Sequence, residues 1–178
     1  MDQLDIENCL QSMTILVDTR EQPSDRAKRR YDSFPCPYRR QTLDYGDYTY
    51  NFILPNGEEL FCPSVKAAGA AIIERKMDLN ELSSCFTHDR KRFTAEFERA
   101  KEHSAKSYLL VEDSNWENLI NGRYKTKFNP KSYFASITAF MARYDITPLF
   151  CKHETSGKLI YEVLYRELKE RLERGDYG

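Results

Sequence analysis

The sequence predicts an α/β domain in which a mixed central β-sheet is flanked by helices. Short apolar runs, typical of buried strands, come first along the chain. Segments in which apolar residues recur at helical spacing then alternate with further short runs. Such an alternation is typical of a sheet covered by helices. The chain has 178 residues, the length of one domain, and we predict a single domain over residues 1–178 with its core at about 14–174.

Five short apolar segments are predicted to be strands: 14–17, 48–54, 70–73, 108–111 and 148–151. Pro55, Asn56 and Gly57 predict a turn after the second of them, so that residues 59–62 return as its hairpin partner. Acidic residues stand at the ends of these strands. Asp18 and Glu74 directly follow the first and third strands, and Asp47 directly precedes the second.

Three helices are predicted from apolar spacing, over residues 78–103, 131–144 and 159–174. The first is expected to be irregular around Ser83 and Ser84, and the second to bury Phe134, Ile137 and Met141. The third carries a strict stripe formed by Ile160, Leu164, Leu168 and Leu172. Two interpretations of this stripe stay open, since it can pack on the chain's own sheet or form the symmetric face of a homodimer.

Composition excludes several classes of protein. Hydrophobic residues make up 40% and charged residues 31% of the chain, and the net charge is −1, which argues against extensive disorder. No apolar run approaches the length of a membrane span. The acidic N-terminus has no signal-peptide pattern, so a cytoplasmic location is predicted. The five cysteines are odd in number and widely spaced, which argues against a disulfide framework.

The acidic strand ends suggest a chemistry. Residues two apart in a strand share a face, so Glu74 and Lys76 are predicted to point into one site and Arg75 away from it. Carboxylates bind Mg²⁺, and a metal ion with a nearby lysine supports hydrolysis of a phosphodiester. The plainer alternative is that Asp18, Asp47 and Glu74 only cap secondary structure or pair with arginines, namely Arg20, Arg39 and Arg40.

Three ordered motifs point further. Residues 17–21 read VDTRE, residues 43–48 read LDYGDY and residues 73–76 read IERK. Together with RKRF at residues 90–93, they resemble the nuclease domain of the XPF family, in particular its small stand-alone bacterial and phage versions. The resemblance implies a restriction-endonuclease-like fold. It also implies an endonuclease, dependent on Mg²⁺ or Mn²⁺, that cuts branched or flapped DNA in repair, recombination or phage replication.

The resemblance also implies roles for individual residues. Asp47 and Glu74 would be metal ligands, with Asp18 as a direct or water-mediated third and the backbone carbonyl of Arg75 as a further ligand. Lys76 would be the catalytic lysine, and Arg20 and Glu21 would support the site. The family often has an acidic residue four positions after the lysine, where this chain has Asn80, and Asp78 is the alternative. Residues 62–71 have no clear counterpart in the family.

Two basic stretches are candidate DNA contacts. No acidic residue occurs from 118 to 144, where basic and aromatic residues are interleaved. These cations can bind phosphates while the aromatic rings stack on bases, or the rings can pack inward beneath a solvated loop. The predicted contacts are Arg29, Arg30, Arg39, Arg40, Arg92, Arg123, Lys125 and Lys127. The alternative function is a non-catalytic DNA-binding or scaffold module of a recombination complex.

Overall fold

The computed structural model describes residues 1–61 and 69–176. Within these ranges, seven strands form one sheet in the order β2-β1-β3-β5-β6-β7, with β4 paired to β3. The strands are β1 (Thr14–Asp18), β2 (Tyr38–Gln41), β3 (Tyr48–Ile53), β4 (Glu59–Phe61), β5 (Ala71–Lys76), β6 (Lys106–Glu112) and β7 (Ile146–Cys151). Pairing is antiparallel around β3 and parallel for β1–β2, β5–β6 and β6–β7. The predicted mixed sheet is confirmed.

Helices cover both faces of this sheet. They are α1 (Gln3–Gln11), α2 (Asp25–Asp32), α3 (Leu79–Thr87), α4 (Arg90–Glu102), α5 (Trp116–Ile120), α6 (Pro130–Tyr144) and α7 (Ser156–Arg174). Alternate residues of β6 belong to different apolar clusters. Tyr108 and Leu110 pack with α1 and α7, whereas Leu109 and Val111 pack with α3, α4 and α6. A strand buried on both faces is expected at the centre of a three-layer α/β domain.

The long helix predicted over residues 78–103 is instead two helices. The chain turns at His88 and Asp89, not at Ser83 and Ser84, which lie inside α3. The break lets α3 pack on β5 while α4 packs on the neighbouring strand β6. Edge-on contacts of the Phe86 ring with Phe93 and Phe140, at centroid distances of 5.5 and 5.0 Å, hold the two helices together beside α6.

The predicted buried face of α6 is rotated by about one residue. The helix buries Tyr133, Ile137, Phe140 and Tyr144, whereas Phe134 is exposed and Met141 is only half-buried. Phe134 packs edge-on against Trp116 at the surface. Two apolar patterns of helical spacing overlap in this helix. The observed pattern contains the rings of Tyr133, Phe140 and Tyr144, which pack with residues of α3 and α4.

The stripe on α7 packs on the chain's own sheet. All four of its residues are almost completely buried in the same apolar cluster as β1 and β3. The homodimer face suggested for this stripe is therefore wrong, because the side chains are already covered. The sequence-based prediction also missed α1, α2, α5 and the edge strand β2.

The described residues also bear on the predictions for residues 62–71, for the cysteines and for membrane spans. Residues 62–68, which include Cys62 and most of the segment without a family counterpart, lie outside the described residues. The other cysteines, Cys9, Cys36, Cys85 and Cys151, are free thiols. Among the described helices, none has the length and apolar character needed to cross a membrane.

Candidate active site

Strand register brings the three predicted acids together. Val17 of β1 lies opposite Tyr48 of β3, and Tyr48 lies opposite Ile73 of β5. Because β3 runs antiparallel to both neighbours, the residue before Tyr48 lies beside the residues that follow Val17 and Ile73. Those three residues are Asp47, Asp18 and Glu74. The sheet therefore places carboxylates from three separate motifs at one edge.

Asp47 is fixed by the backbone on both sides. Its N–H donates to the carbonyl of Ile73 (2.9 Å), and its carbonyl accepts from Asp18 (2.9 Å). Its Oδ2 accepts the N–H of Arg75 at 2.7 Å. Gly46 precedes it with φ +73°, and a Cβ there would lie 3.2 Å from side-chain atoms of Ile72. This close, left-handed turn requires glycine and aims the carboxylate at β5.

Glu74 and Lys76 face the same side of β5, as predicted from strand alternation. The Lys76 Nζ lies 2.5 Å from the Glu74 Oε1 and 5.6 Å from the centre of the Phe93 ring. Burial alone would lower the pKa of Lys76, but the charges of Glu74 and Asp47 outweigh it and raise that pKa. Lys76 is therefore a fixed ammonium ion among carboxylates, and it serves as a cation and hydrogen-bond donor.

Glu96 of α4 is a fourth carboxylate, which the sequence-based prediction missed. It joins Asp18 through Arg20, whose Nε lies 2.5 Å from Asp18 Oδ2 and whose Nη1 lies 3.7 Å from Glu96 Oε1. The signal was present in the sequence, because Arg92, Phe93 and Glu96 are spaced to share one face of α4. We call Asp18, Asp47, Glu74 and Glu96 the front acid cluster.

The front acid cluster lines a cavity of about 180 Å³ in which acids outnumber cations. Five carboxylates and three cationic side chains surround it: Asp18, Asp47, Glu74, Asp89 and Glu96, with Arg20, Lys76 and Arg92. Burial, and then the charge of Glu74, raise the pKa of both Asp47 and Glu96. Excess desolvated carboxylates of this kind fit a divalent cation, which prefers oxygen ligands.

Behind β5, a second group of charged residues forms a network of ion pairs. Arg75 points away from the front acid cluster, and its guanidinium contacts Glu21 (3.2 Å) and Glu112 (3.1 Å). Arg30 contacts the same two acids at 2.9 and 3.1 Å. We call Glu21, Arg30, Arg75 and Glu112 the rear ion network. Glu21 thus supports the site from behind, by fixing Arg75, and does not enter the cavity.

The rear ion network corrects one predicted DNA contact. Arg30 is only 3% exposed, and it also donates to the Tyr48 hydroxyl and the Ser156 hydroxyl. Its guanidinium is therefore not available to DNA, and that prediction is wrong. The basic run on α2 reads as exposed in the sequence, but helical spacing turns Arg30 inward while Arg29 stays exposed.

The other predicted contacts lie at the surface. Arg39 and Arg40 are on the edge strand β2, where Arg39 pairs with Glu59 and Arg40 donates to the carbonyls of Thr19 and Glu21. Arg92 lines the front cavity. Arg123, Lys125 and Lys127 are exposed, whereas the intervening Tyr124, Thr126 and Phe128 are half-buried. The rings in this stretch pack inward, and the cations face solvent.

Asp78 is a helix cap. Its Oδ1 accepts the N–H groups of Asn80 and Glu81 at 2.8 and 2.9 Å, and its Oδ2 accepts from the Asn80 side chain at 3.0 Å. This satisfies free N–H groups at the start of α3. Asp78 is not among the residues lining the front cavity, so it does not replace the acid that the family carries at the position of Asn80.

A separate cluster of possible ligands lies at the start of α7. Atoms of Asp113, His153 and Glu154 come within 4.8 Å of one another. The Asp113 carboxylate already has partners, because the Arg26 Nη2 lies 3.2 Å from its Oδ2 and the His153 Nδ1 lies 3.0 Å from the same oxygen. The cluster is therefore the rim of the rear ion network and suits a metal ion less well than the front acid cluster.

Comparison with known proteins agrees with this geometry. Residues 17–163 match the sequence profile of the ERCC4 domain. The fold is similar to XPF from Aeropyrum pernix, with a TM-score of 0.58, 20% identity, and coverage of 85% of this chain and 59% of that chain. The same protein in complex with DNA gives a TM-score of 0.56 and 22% identity, covering 86% of this chain and 63% of that one. This chain therefore spans about three fifths of those chains. No curated protein matches the sequence.

Proposed function

Because the chain belongs to the ERCC4 domain family, we propose that it is a metal-dependent endonuclease that hydrolyses phosphodiester bonds in branched or flapped DNA. The observation that carries this proposal is the front acid cluster with Lys76 in one cavity. The likeness to XPF in complex with DNA supports DNA as the substrate class.

The residues present fit a divalent cation. Asp47 and Glu74 would hold it, together with the backbone carbonyl of Arg75. Both oxygens of Asp18 are already engaged, by Arg20 and by the N–H of Leu43, so Asp18 would support the ion less directly than Asp47 and Glu74. When bound, Mg²⁺ or Mn²⁺ lowers the pKa of an attacking water and neutralises charge on the phosphate.

The chain's own cations complete the site. Lys76 orients the attacking water, and its ammonium group donates hydrogen bonds to the non-bridging phosphate oxygens as negative charge develops on them. Arg20 and Arg92 lie at the cavity mouth with half or more of their side chains exposed, where they meet the incoming phosphate. Glu21 and Arg75 support the strand from behind.

The test is cleavage of a labelled flapped duplex in Mg²⁺, in Mn²⁺ and in excess EDTA. Wild-type protein should cut only with a metal ion, and Lys76→Ala should lower the cleavage rate by about 100-fold or more, since it removes a donor to the reacting phosphate. Lys91→Ala is the matched control, because Lys91 is an exposed residue near the start of α4. Salt-dependent retention of DNA without cleavage in either metal would instead favour the non-catalytic binding module.

A further inference from the structure

The loop between α5 and α6 presents cations on one side and is anchored on the other. We call residues 122–129 the cationic loop. Its exposed cations are Arg123, Lys125 and Lys127. On its inner side, the rings of Tyr124 and Phe128 lie 5.3 and 4.9 Å from the Tyr133 ring, and the Tyr124 hydroxyl donates to the Phe128 carbonyl. The exposed cations therefore belong to a loop that packed aromatic rings hold in place.

The cationic loop is hydrogen-bonded to the start of α3, the helix that follows β5. The N–H of Lys125 donates to the Asn80 Oδ1 at 2.7 Å. Beneath it, the Tyr133 hydroxyl donates to the carbonyl of Leu79 at 2.8 Å. Helix α3 begins only three residues after Lys76. The cationic loop is thus tied, through Asn80, to the strand that carries Glu74 and Lys76.

Position 80 needs an amide to accept from Lys125 and donate to Asp78 at the same time. Asn80 accepts from Lys125 with its oxygen while its Nδ2 donates to Asp78 Oδ2 at 3.0 Å. A carboxylate at position 80 has no donor, and it would lie against the carboxylate of Asp78. The departure of this chain from the family pattern at Asn80 therefore has a structural meaning, because the amide is part of the loop anchor.

Two adjoining cavities lie between the cationic loop and the front cavity. A cavity of about 210 Å³ lies between the loop and α3, and its lining includes Arg123, Arg26 and Met77. A neighbouring cavity of about 320 Å³ shares Arg26 and Met77 with it, and shares Arg20, Asp47 and Lys76 with the front cavity. The three cavities therefore adjoin one another between the acids and the loop, with Arg20, Arg26 and Arg123 among their lining residues.

We propose that Asn80 is a positioning residue that holds the cationic loop at a fixed distance from the cleavage site. The loop cations bind backbone phosphates of the DNA, so the anchor determines which phosphodiester lies in the front cavity. This inference rests on the proposed nuclease function. It adds a residue that sets the position of the cut without touching the reacting atoms.

The experiment compares Asn80→Ala with Asn121→Ala. Asn121 is the cap at the end of α5, directly before the cationic loop, and its side chain donates to the carbonyl of Glu117 in that helix. In Asn80→Ala we expect cuts to spread over adjacent bonds, DNA binding to weaken by about 3- to 10-fold, and the rate at saturating DNA to stay within about threefold. If all three loop cations lose their phosphate contacts, the slope of log K against log salt concentration should decrease in magnitude by about 2 to 3, because each lost contact accounts for about 0.9. Asn121→Ala should match wild type in every measure.

Two further measurements keep the inference independent of cleavage. Hydrogen exchange of the Lys125 amide, without DNA or metal, should accelerate in Asn80→Ala, which removes the acceptor, but not in Asn121→Ala. Adding Asn80→Ala to a variant that replaces Arg123, Lys125 and Lys127 with Ala should weaken DNA binding little further, since both changes remove the same contacts. Unchanged exchange at Lys125, an unchanged cut position or fully additive losses would each overturn the anchor. If the wild-type protein does not cleave DNA, the nuclease proposal fails, whereas the anchor is still tested by hydrogen exchange and by DNA binding.

Discussion

The two faces of strand β5 carry similar charged residues but balance them differently. The rear ion network pairs Glu21 and Glu112 with Arg30 and Arg75. The front cavity has five carboxylates and only three cations. Neighbouring residues of one strand, Glu74 and Arg75, thus belong to a site with excess negative charge and to a closed structural network.

This difference distinguishes function from structure better than burial does. Glu112 is fully buried, yet its pKa is lowered, because Ser156 and the charges of Arg30 and Arg75 outweigh the effect of burial. For Asp47 burial and the charge of Glu74 act together and raise the pKa. The fold stabilises the charged form of the rear carboxylate, whereas it disfavours the charged form of the front carboxylate, as is typical of functional sites.

Breaking the rear ion network should give the largest loss of stability. Glu112→Ala leaves the guanidiniums of Arg26, Arg30 and Arg75 without their shared buried partner. Removing one partner of a buried ion pair costs about 3–5 kcal/mol. Urea denaturation at pH 7 should show that decrease in the free energy of unfolding. Glu162→Ala, which removes an exposed pair with Arg166, is the control and should change little. Equal effects of the two variants would contradict the contrast between the faces.

Removing one charge from the front acid cluster should instead raise the stability of the folded protein. Asp47→Asn keeps an oxygen for the N–H of Arg75 but removes a charge that repels Glu74. Without a divalent ion, we expect the free energy of unfolding to rise by about 1–2 kcal/mol, as when a strained functional site is relieved. Cleavage should fall by about 100-fold or more, because metal binding supplies several kcal/mol. Asp44→Asn, in the same loop and exposed, should alter neither property. A loss of stability in Asp47→Asn would show that this acid is structural.

Much of the site could be predicted from the sequence, because its signals are local. Strand alternation correctly separated Glu74 and Lys76 from Arg75, and the resemblance to the XPF nuclease domain implied that Asp18, Asp47 and Glu74 share one site. The apolar runs also identified the strands that hold the core. The inferences about β5 and the core strands need only the two-residue period of a strand and short apolar runs, whereas the joint site follows from the resemblance of the three motifs.

What the sequence did not predict depends on contacts between distant segments. The inward orientation of Arg30 requires Glu21 and Glu112, which come from two other parts of the chain. Glu96 enters the site only because the chain turns at His88 and Asp89 and lays α4 over the cavity. The amide at position 80 gains its meaning from Lys125, 45 residues later. A basic run and an acidic helix position carry no such information by themselves.

The smallest effect, and the most specific one, is the pH dependence of the Asp47→Asn difference. In the unfolded chain the Asp47 carboxyl ionises near pH 3.8, whereas in the folded protein its pKa is raised by burial and by Glu74. Between these values the folded state binds more protons, so the stability of wild type falls as pH rises. Glu112, with its lowered pKa, loses stability only as pH falls, and it does so equally in both proteins. In EDTA, urea denaturation in steps from pH 4.5 to 8 should therefore show the advantage of Asp47→Asn growing with pH and then levelling off. Adding Mg²⁺ should remove that advantage, since the ion binds only the wild-type carboxylate. An advantage that shrinks with rising pH would mean that the fold stabilises both acids alike, and the contrast between the two faces of β5 would fail.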